Sequence, residues 1–213
     1  MSTVLERVVG RCGELVLRTD GEHFEVIANG VFLMDTRGGE SERLLVSAAA
    51  DRMPAPGRML IGGLGVGFSL AEAVADPRVA QVVVVEREPA VIAWARGPLA
   101  EVHGHAVDHP KVRCIEADLL DFLSAGDGQL FDAICLDVDN GPQWTVTEGN
   151  RRLYRPAGLD AMARRLSPRG VLAVWSAAAS PEFAASLRAR FDEVEVLSVP
   201  VVRGEPDAVF VAR

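Results

Sequence analysis

The chain comprises 213 residues, 49% hydrophobic and 24% charged, with a formal charge of −8 at neutral pH; this excludes a disordered or fibrous chain and predicts one main folded unit. An acidic balance without basic stretches excludes a surface built to neutralise phosphates, so no nucleic-acid partner is expected. No basic-then-apolar leader, no run of about 18 apolar residues, and only three scattered cysteines, Cys12, Cys114 and Cys135, predict a cytoplasmic protein without membrane span or disulfide framework.

In chain order, Glu14 to Arg18, Phe24 to Ala28 and Val31 to Met34 are separated by Asp20-Gly21 and Asn29-Gly30, dipeptides suited to tight hairpins, and predict a short antiparallel β-meander. After Gly38-Gly39, Leu44, Leu45, Ala48 and Ala49 share one face of a helix predicted over Ser41 to Ala50. Two prolines within Asp51 to Gly57 mark the expected boundary between an N-terminal unit, 1–50, and the main domain, 51–213. From there apolar strands, Met59 to Ile61, Gln81 to Val85, Val112 to Ile115, Ala133 to Leu136 and Val171 to Trp175, alternate with helices, the pattern of a parallel sheet buried on both faces. The spacing of Leu159, Met162, Ala163 and Leu166 predicts a helix ended by Ser167-Pro168-Arg169-Gly170, and Ser180-Pro181 opens another within the Ala-rich stretch Ala177 to Ala185. Glu193 to Val202 and Asp207 to Val211 close the chain; their connection is too short for a parallel crossover, so they pair antiparallel. The predicted fold class is therefore α/β: a doubly wound, mainly parallel, seven-stranded Rossmann-like sheet with a C-terminal antiparallel pair and a short N-terminal β-meander.

Gly62-Gly63-Leu64-Gly65-Val66-Gly67 lies where a strand turns into a helix, a place where Gly62, Gly63, Gly65 and Gly67 let a ligand approach backbone amides closely. The dinucleotide spacing Gly-x-Gly-x-x-Gly, counted from Gly63, would need glycine where Phe68 stands, which demotes a nicotinamide or flavin enzyme. Glu86 ends the next strand about twenty residues on, where a carboxylate can accept from both ribose hydroxyls; Asp118 follows the third strand, placed to accept from the exocyclic amine of adenine. Asp118 before a helix is equally suited to be an N-cap. Asp137 and Asp139 end the fourth strand on the same edge, whereas Asp132 stands at its opposite end and is expected to matter only for structure. His103, His105 and His109 read as a solvated loop, since no acidic or cysteine ligand completes a metal set. Trp94 and Trp175 read as core or sheet-covering aromatics; Trp144, in the polar loop Gly141 to Asn150, and Tyr154 are candidates for lining a substrate mouth.

Taken in order, Ile61-Gly62-Gly63 to Gly67, Val84-Val85-Glu86, Asp118-x-x-x-Phe122-Leu123, Phe131-Asp132-x-Ile134-x-x-Asp137, Gly141-Pro142, Leu153-Tyr154 and Leu166-x-Pro168-x-Gly170-Val171-Leu172 resemble the spermidine synthase family of the class I methyltransferase fold. The resemblance implies an adenosyl-sulfonium ligand, S-adenosylmethionine or its decarboxylated form, no metal, a small-molecule acceptor and a homodimer. Four departures fall on the family's catalytic and polyamine-binding positions. Gly65 stands where an aspartate faces the aminopropyl ammonium, Glu40-Ser41-Glu42 stands for Tyr-His-Glu, no glutamine follows Asn29-Gly30, and the gate motif is shortened to Asp137-Val138-Asp139-Asn140-Gly141-Pro142. A carboxylate at position 65 would repel the methionine carboxylate; Gly65 removes that repulsion.

The expected activity is therefore attack of an acceptor on a carbon of the sulfonium, methyl transfer first, with Asp137, then Asp139, accepting the proton. Aminopropyl transfer from the decarboxylated ligand is the nearest alternative, and an adenosyl-binding protein without turnover is the alternative from another class.

Overall fold

The computed structural model describes residues 2–125, 128–145, 147–202 and 204–213, without the side chain of residue 148. Two sheets form it. Strands β1 (Ser2–Gly10), β2 (Gly13–Asp20), β3 (His23–Ala28) and β4 (Val31–Asp35) build an antiparallel sheet in sequential order. The β3–β4 turn uses Asn29 and Gly30 at φ 52° and 78°, the paired left-handed conformation that matches strand twist in a two-residue hairpin. Sequence reasoning began this sheet at Glu14; the structure adds β1, a mostly exposed strand whose apolar and charged residues come in adjacent pairs, Val4-Leu5, Glu6-Arg7 and Val8-Val9, without the period-2 alternation that marks a half-buried strand.

The second sheet has seven strands in the order β10-β11-β9-β8-β5-β6-β7. Here β5 is Gly57–Gly62, β6 Val79–Glu86, β7 Val112–Glu116, β8 Phe131–Leu136, β9 Leu166–Ser176, β10 Val194–Val199 and β11 Asp207–Ala212. Strands β5 to β9 run parallel; β11 pairs antiparallel with β9 and with β10. The predicted connection between the last two strands includes residue 203, which lies outside the described residues. Met59 and Ile61 of β5 enter one apolar core while Leu60 enters the other, as period-2 alternation requires of a strand covered on both faces.

Helices α1 (Glu40–Ala50), α2 (Phe68–Ala75) and α3 (Pro89–Arg96) supply Leu45, Leu70 and Trp94 to the first core. Helices α4 (Leu119–Ala125), α5 (Pro156–Arg165) and α6 (Pro181–Arg188) supply Leu123, Met162 and Leu187 to the second. Helix α1 packs on β8, β9 and β11. None of the described helices is long and apolar enough to cross a membrane.

Three expectations need correction. The stop sequence Ser167 to Gly170 follows α5 and its cap Leu166 as expected, but it lies within β9, which begins at Leu166 rather than Val171: Phe131 pairs with Leu166 and Ala133 with Val171, so the extra residues bulge, with Arg169 at φ 67°. Helix formation in the Ala-rich stretch begins only at Pro181, where the Ser180 hydroxyl accepts from Phe183 N at 3.2 Å; residues 177–179 precede that cap and fall outside the helix. His103 is buried, its Nε2 2.9 Å from Ala95 O and its Nδ1 accepting from Ala106 N at 3.0 Å, so it fastens the loop that was read as solvated.

Between β5 and β8 the chain reverses its direction of winding: β6 and β7 lie to one side of β5, β8 and β9 to the other. Such a switch point opens a crevice at the carboxyl ends of the strands.

Candidate active site

The crevice is floored by the turn after β5. Gly63 sits at φ 88°, and a Cβ there would lie 2.1 Å from the Asp137 carbonyl oxygen; Gly67, at φ 95°, would place one 2.6 Å from His103 Cδ2. Gly62 is closed by Leu119, whereas at Gly65, φ 54°, the nearest atom to a Cβ is Met34 Sδ at 3.4 Å. Gly63 and Gly67 are thus required by backbone conformation and neighbour packing, Gly62 is crowded only by leucine side-chain ends, and Gly65 leaves open space at the mouth.

Three neighbouring cavities share this floor. The smallest, about 50 Å³, is lined by Glu86, Arg87, Ala117, Asp118, Val138 and Leu153 among others. Next to it, about 110 Å³ is enclosed by Cys12, Met34, Gly65, Glu86, Arg87 and Asp137 among others. The third, about 580 Å³, extends past Gly65 and Asp137 to Glu42, Phe68, Trp175 and Asp207.

Glu86 lies where it was expected, at the end of β6, and accepts from Leu64 N at 3.0 Å and Glu88 N at 2.8 Å. Burial pushes its carboxyl up, against the lowering effect of those amides. Asp118 caps α4, accepting from Leu120 N at 2.9 Å and Asp121 N at 3.2 Å, while its other oxygen stands 3.8 Å from Arg87 Nη1 in the smallest cavity. The cap and the cavity lining are both observed.

Asp137 N donates to Gly62 O at 2.8 Å, which locks the end of β8 to the glycine turn, and its Oδ2 accepts from the Ser69 hydroxyl at 2.6 Å. Its carboxyl is pushed up to about 7, by burial first, then by the charge of Glu42, against the Ser69 hydrogen bond. Glu42 is itself pushed up by burial, and so is Asp207. Ser41 Oγ bridges these two, 2.9 Å from Glu42 Oε2 and 2.7 Å from Asp207 Oδ2. Three carboxyls thus face one cleft with their charged forms disfavoured.

Asp139, at φ 65°, accepts through Oδ2 from Asn150 Nδ2 at 2.7 Å and Thr147 N at 3.2 Å, and lines both larger cavities. Trp144 is 59% exposed. Tyr154 is buried, donates its hydroxyl to Val138 O, and packs edge-on against Phe183 with ring centroids 5.8 Å apart; burial raises its phenol. It is not among the residues lining the three cavities. Trp175, read as a core or sheet-covering aromatic, packs against the first core and also lines the cavity of about 580 Å³. Among the described residues, no group of three or more His, Cys, Asp or Glu could hold a metal ion.

Sequence reasoning did not assign Glu42, Ser69, Asp207, Arg87 or Asn150 to the site. Arg87 could have been suspected from its place directly after Glu86. Glu42 in the first turn of a helix is indistinguishable in sequence from a solvated charge favoured by the helix dipole, and Asp207 reaches the cleft only through antiparallel pairing of β11.

No protein-family model matches the chain. Among curated proteins, the polyamine aminopropyltransferase of Mycobacterium tuberculosis (strain CDC 1551 / Oshkosh) is 31% identical over 165 residues, covering 76% of this chain and 30% of that protein. Putrescine N-methyltransferase 2 of Nicotiana tabacum is 27% identical over 131 residues, covering 61% of this chain and 33% of that protein. The chain thus spans about a third of the length of these relatives. Among solved structures, spermidine synthase in complex with the transition state analogue AdoDATO superposes with a TM-score of 0.81 at 17% identity, covering 98% of this chain and 73% of that one.

Proposed function

Because the chain is a spermidine synthase-like protein of the class I S-adenosylmethionine-dependent methyltransferase fold, we propose that it transfers an alkyl group from an adenosyl sulfonium to an aliphatic polyamine, the transferred group being aminopropyl. The observation that carries this reading is the set of buried carboxyls, Glu42, Asp137 and Asp207, in a cleft of about 580 Å³ that opens directly off the glycine turn. Carboxyls held above their ordinary range by burial and mutual repulsion are stabilised by an incoming cation. The same field opposes a donor tail that carries a carboxylate and accepts one that ends in an ammonium.

The residues fit an adenosyl group: Glu86 offers a carboxylate at the strand end, Asp118 a second within the smallest of the three cavities, and Gly65 leaves backbone unobstructed toward the cleft. The bound sulfonium supplies an activated carbon. Asp137 takes the proton from the attacking amine as the new N–C bond forms; the C–S bond breaks, and its electron pair leaves with sulfur as a thioether. Ser69 and the backbone lock to Gly62 hold the Asp137 carboxylate in place for that transfer.

Methyl transfer, the first reading of the sequence, becomes the second here; Gly65, which sets no carboxylate at the mouth, is the observation in its favour. Thermal shift and product analysis with S-adenosylmethionine, its decarboxylated form and putrescine separate the two. The decarboxylated ligand should raise the melting temperature more and give an aminopropylated amine. Stronger stabilisation by S-adenosylmethionine with a methylated amine as product would overturn the first reading in favour of the second.

A further inference from the structure

One buried amide spans the wall between the two halves of the cleft. Asn150 is 8% exposed. Its Oδ1 accepts from Arg87 Nη1 at 3.2 Å, and its Nδ2 donates to Asp139 Oδ2 at 2.7 Å. A cation and an anion on opposite ends fix the amide in one orientation, because the flipped form would set like partners against each other. Arg87 and Asn150 line both smaller cavities, on the nucleoside side; Asp139 stands at the boundary, lining the cavity of about 110 Å³ and the cavity of about 580 Å³ on the acceptor side.

Both partners carry signs of an arrangement waiting for a ligand. Arg87 Nε is buried and has no hydrogen-bond partner among the described residues, the nearest carboxylate oxygen of Glu88 standing 3.8 Å away; an orphaned buried donor is costly and is satisfied when a ligand offers an acceptor. Asp139 holds a left-handed backbone at φ 65°, a conformation that a non-glycine residue keeps only when its surroundings enforce it. The enforcing bonds come from Asn150 and Thr147. The two nucleoside-side cavities, about 50 and 110 Å³, are also smaller than the roughly 300–1,000 Å³ of ordinary small-molecule sites, so Arg87 must shift when that side fills.

We infer that Asn150 is a positioning residue that couples the two halves of the site: occupation of the nucleoside side draws Arg87 off Asn150, which loosens the Asn150–Asp139 bond and lets that carboxylate reorient toward the acceptor's ammonium. The inference rests on the reading of the cleft given above. It makes acceptor binding depend on the nucleoside side through one side chain, which itself lines both smaller cavities.

Calorimetric titration with two probes tests it, methylthioadenosine for the nucleoside side and putrescine for the acceptor side. In the unaltered protein, saturating methylthioadenosine should tighten putrescine binding about fivefold or more, and putrescine should tighten methylthioadenosine by the same factor. Asn150→Leu should bring both factors to within about twofold of one while the variant still binds each probe. Arg87→Met cuts the relay from its other end and should do the same, which keeps the test decisive if either variant folds poorly. Independent binding of the probes in the unaltered protein, or coupling undiminished in both variants, overturns the relay and leaves the proposed function standing. No binding of methylthioadenosine at all overturns both.

Discussion

Asp137 holds two opposing properties in one carboxyl. Its folded-state pKa lies above the unfolded value, so the native state binds the extra proton between pH 4 and 7, and stability from this group is present at low pH and lost as pH rises through about 7. Asp137→Asn removes that loss: relative to the unaltered protein, the variant should gain about 1–3 kcal/mol between pH 5 and pH 8 in urea unfolding. The same substitution should cost transfer activity about 10²–10⁴-fold, and kcat/KM of the unaltered protein should rise with pH through about 7 as the carboxyl ionises. A flat stability difference across that pH range would mean that the carboxyl titrates as an ordinary surface group. Glu86 is tested with glutamine, which keeps the shape and one acceptor oxygen, so that only one of the Leu64 and Glu88 amides retains its partner. Glu86→Gln should weaken methylthioadenosine binding by about 1.5–3 kcal/mol, the range for hydrogen bonds involving a charged group; an unchanged dissociation constant removes Glu86 from the ligand's contacts.

At the scale of the element, the turn from β5 into α2 and the end of β8 form one unit. Gly63 and Asp137 are joined so closely that a methyl group on Gly63 would stand 2.1 Å from a backbone oxygen, which neither chain can vacate without breaking the Asp137 N to Gly62 O bond. Gly65, two residues on, is equally left-handed but unobstructed, with its nearest neighbour at 3.4 Å. Gly63→Ala should therefore cost about 2–4 kcal/mol by clash together with backbone strain, and Gly65→Ala only about 1 kcal/mol, from backbone strain alone. Paired denaturant melts check the contrast; equal costs would show that conformation, not packing, dominates the turn.

For the whole molecule, charge is distributed unevenly around a formal −8. Glu40, Glu42, Asp137, Asp139 and Asp207 all line the cleft of about 580 Å³, and low-dielectric walls concentrate such a field on an approaching cation. If a polyamine is the acceptor, its KM should rise about threefold or more between low and 0.5 M salt, where the screening length falls from about 10 Å toward a few ångströms, with kcat little changed. The same field should prevent appreciable binding to duplex DNA or structured RNA at physiological salt; salt-sensitive micromolar binding in an anisotropy assay would contradict that expectation.

The strand and helix order from Arg58 onward was legible in the sequence because strands buried on both faces must be apolar throughout, and because glycine, proline and serine mark the turns between them. The seven-stranded sheet, its antiparallel closing pair, the glycine turn and the strand-end placement of Glu86 and Asp137 follow from that local grammar. Strand β1 did not, since a mixed polar and apolar edge strand is specified by its partner β2 as much as by its own composition. The acidic cleft lay further out of reach. Glu42, Asp137 and Asp207 come from a helix, a parallel strand and an antiparallel strand far apart in the chain, and Ser41 bridges to Asp207 across 166 positions. Local periodicity determined which elements form; only their packing decided which carboxylates share one buried volume, because desolvation and mutual repulsion are properties of neighbours in space.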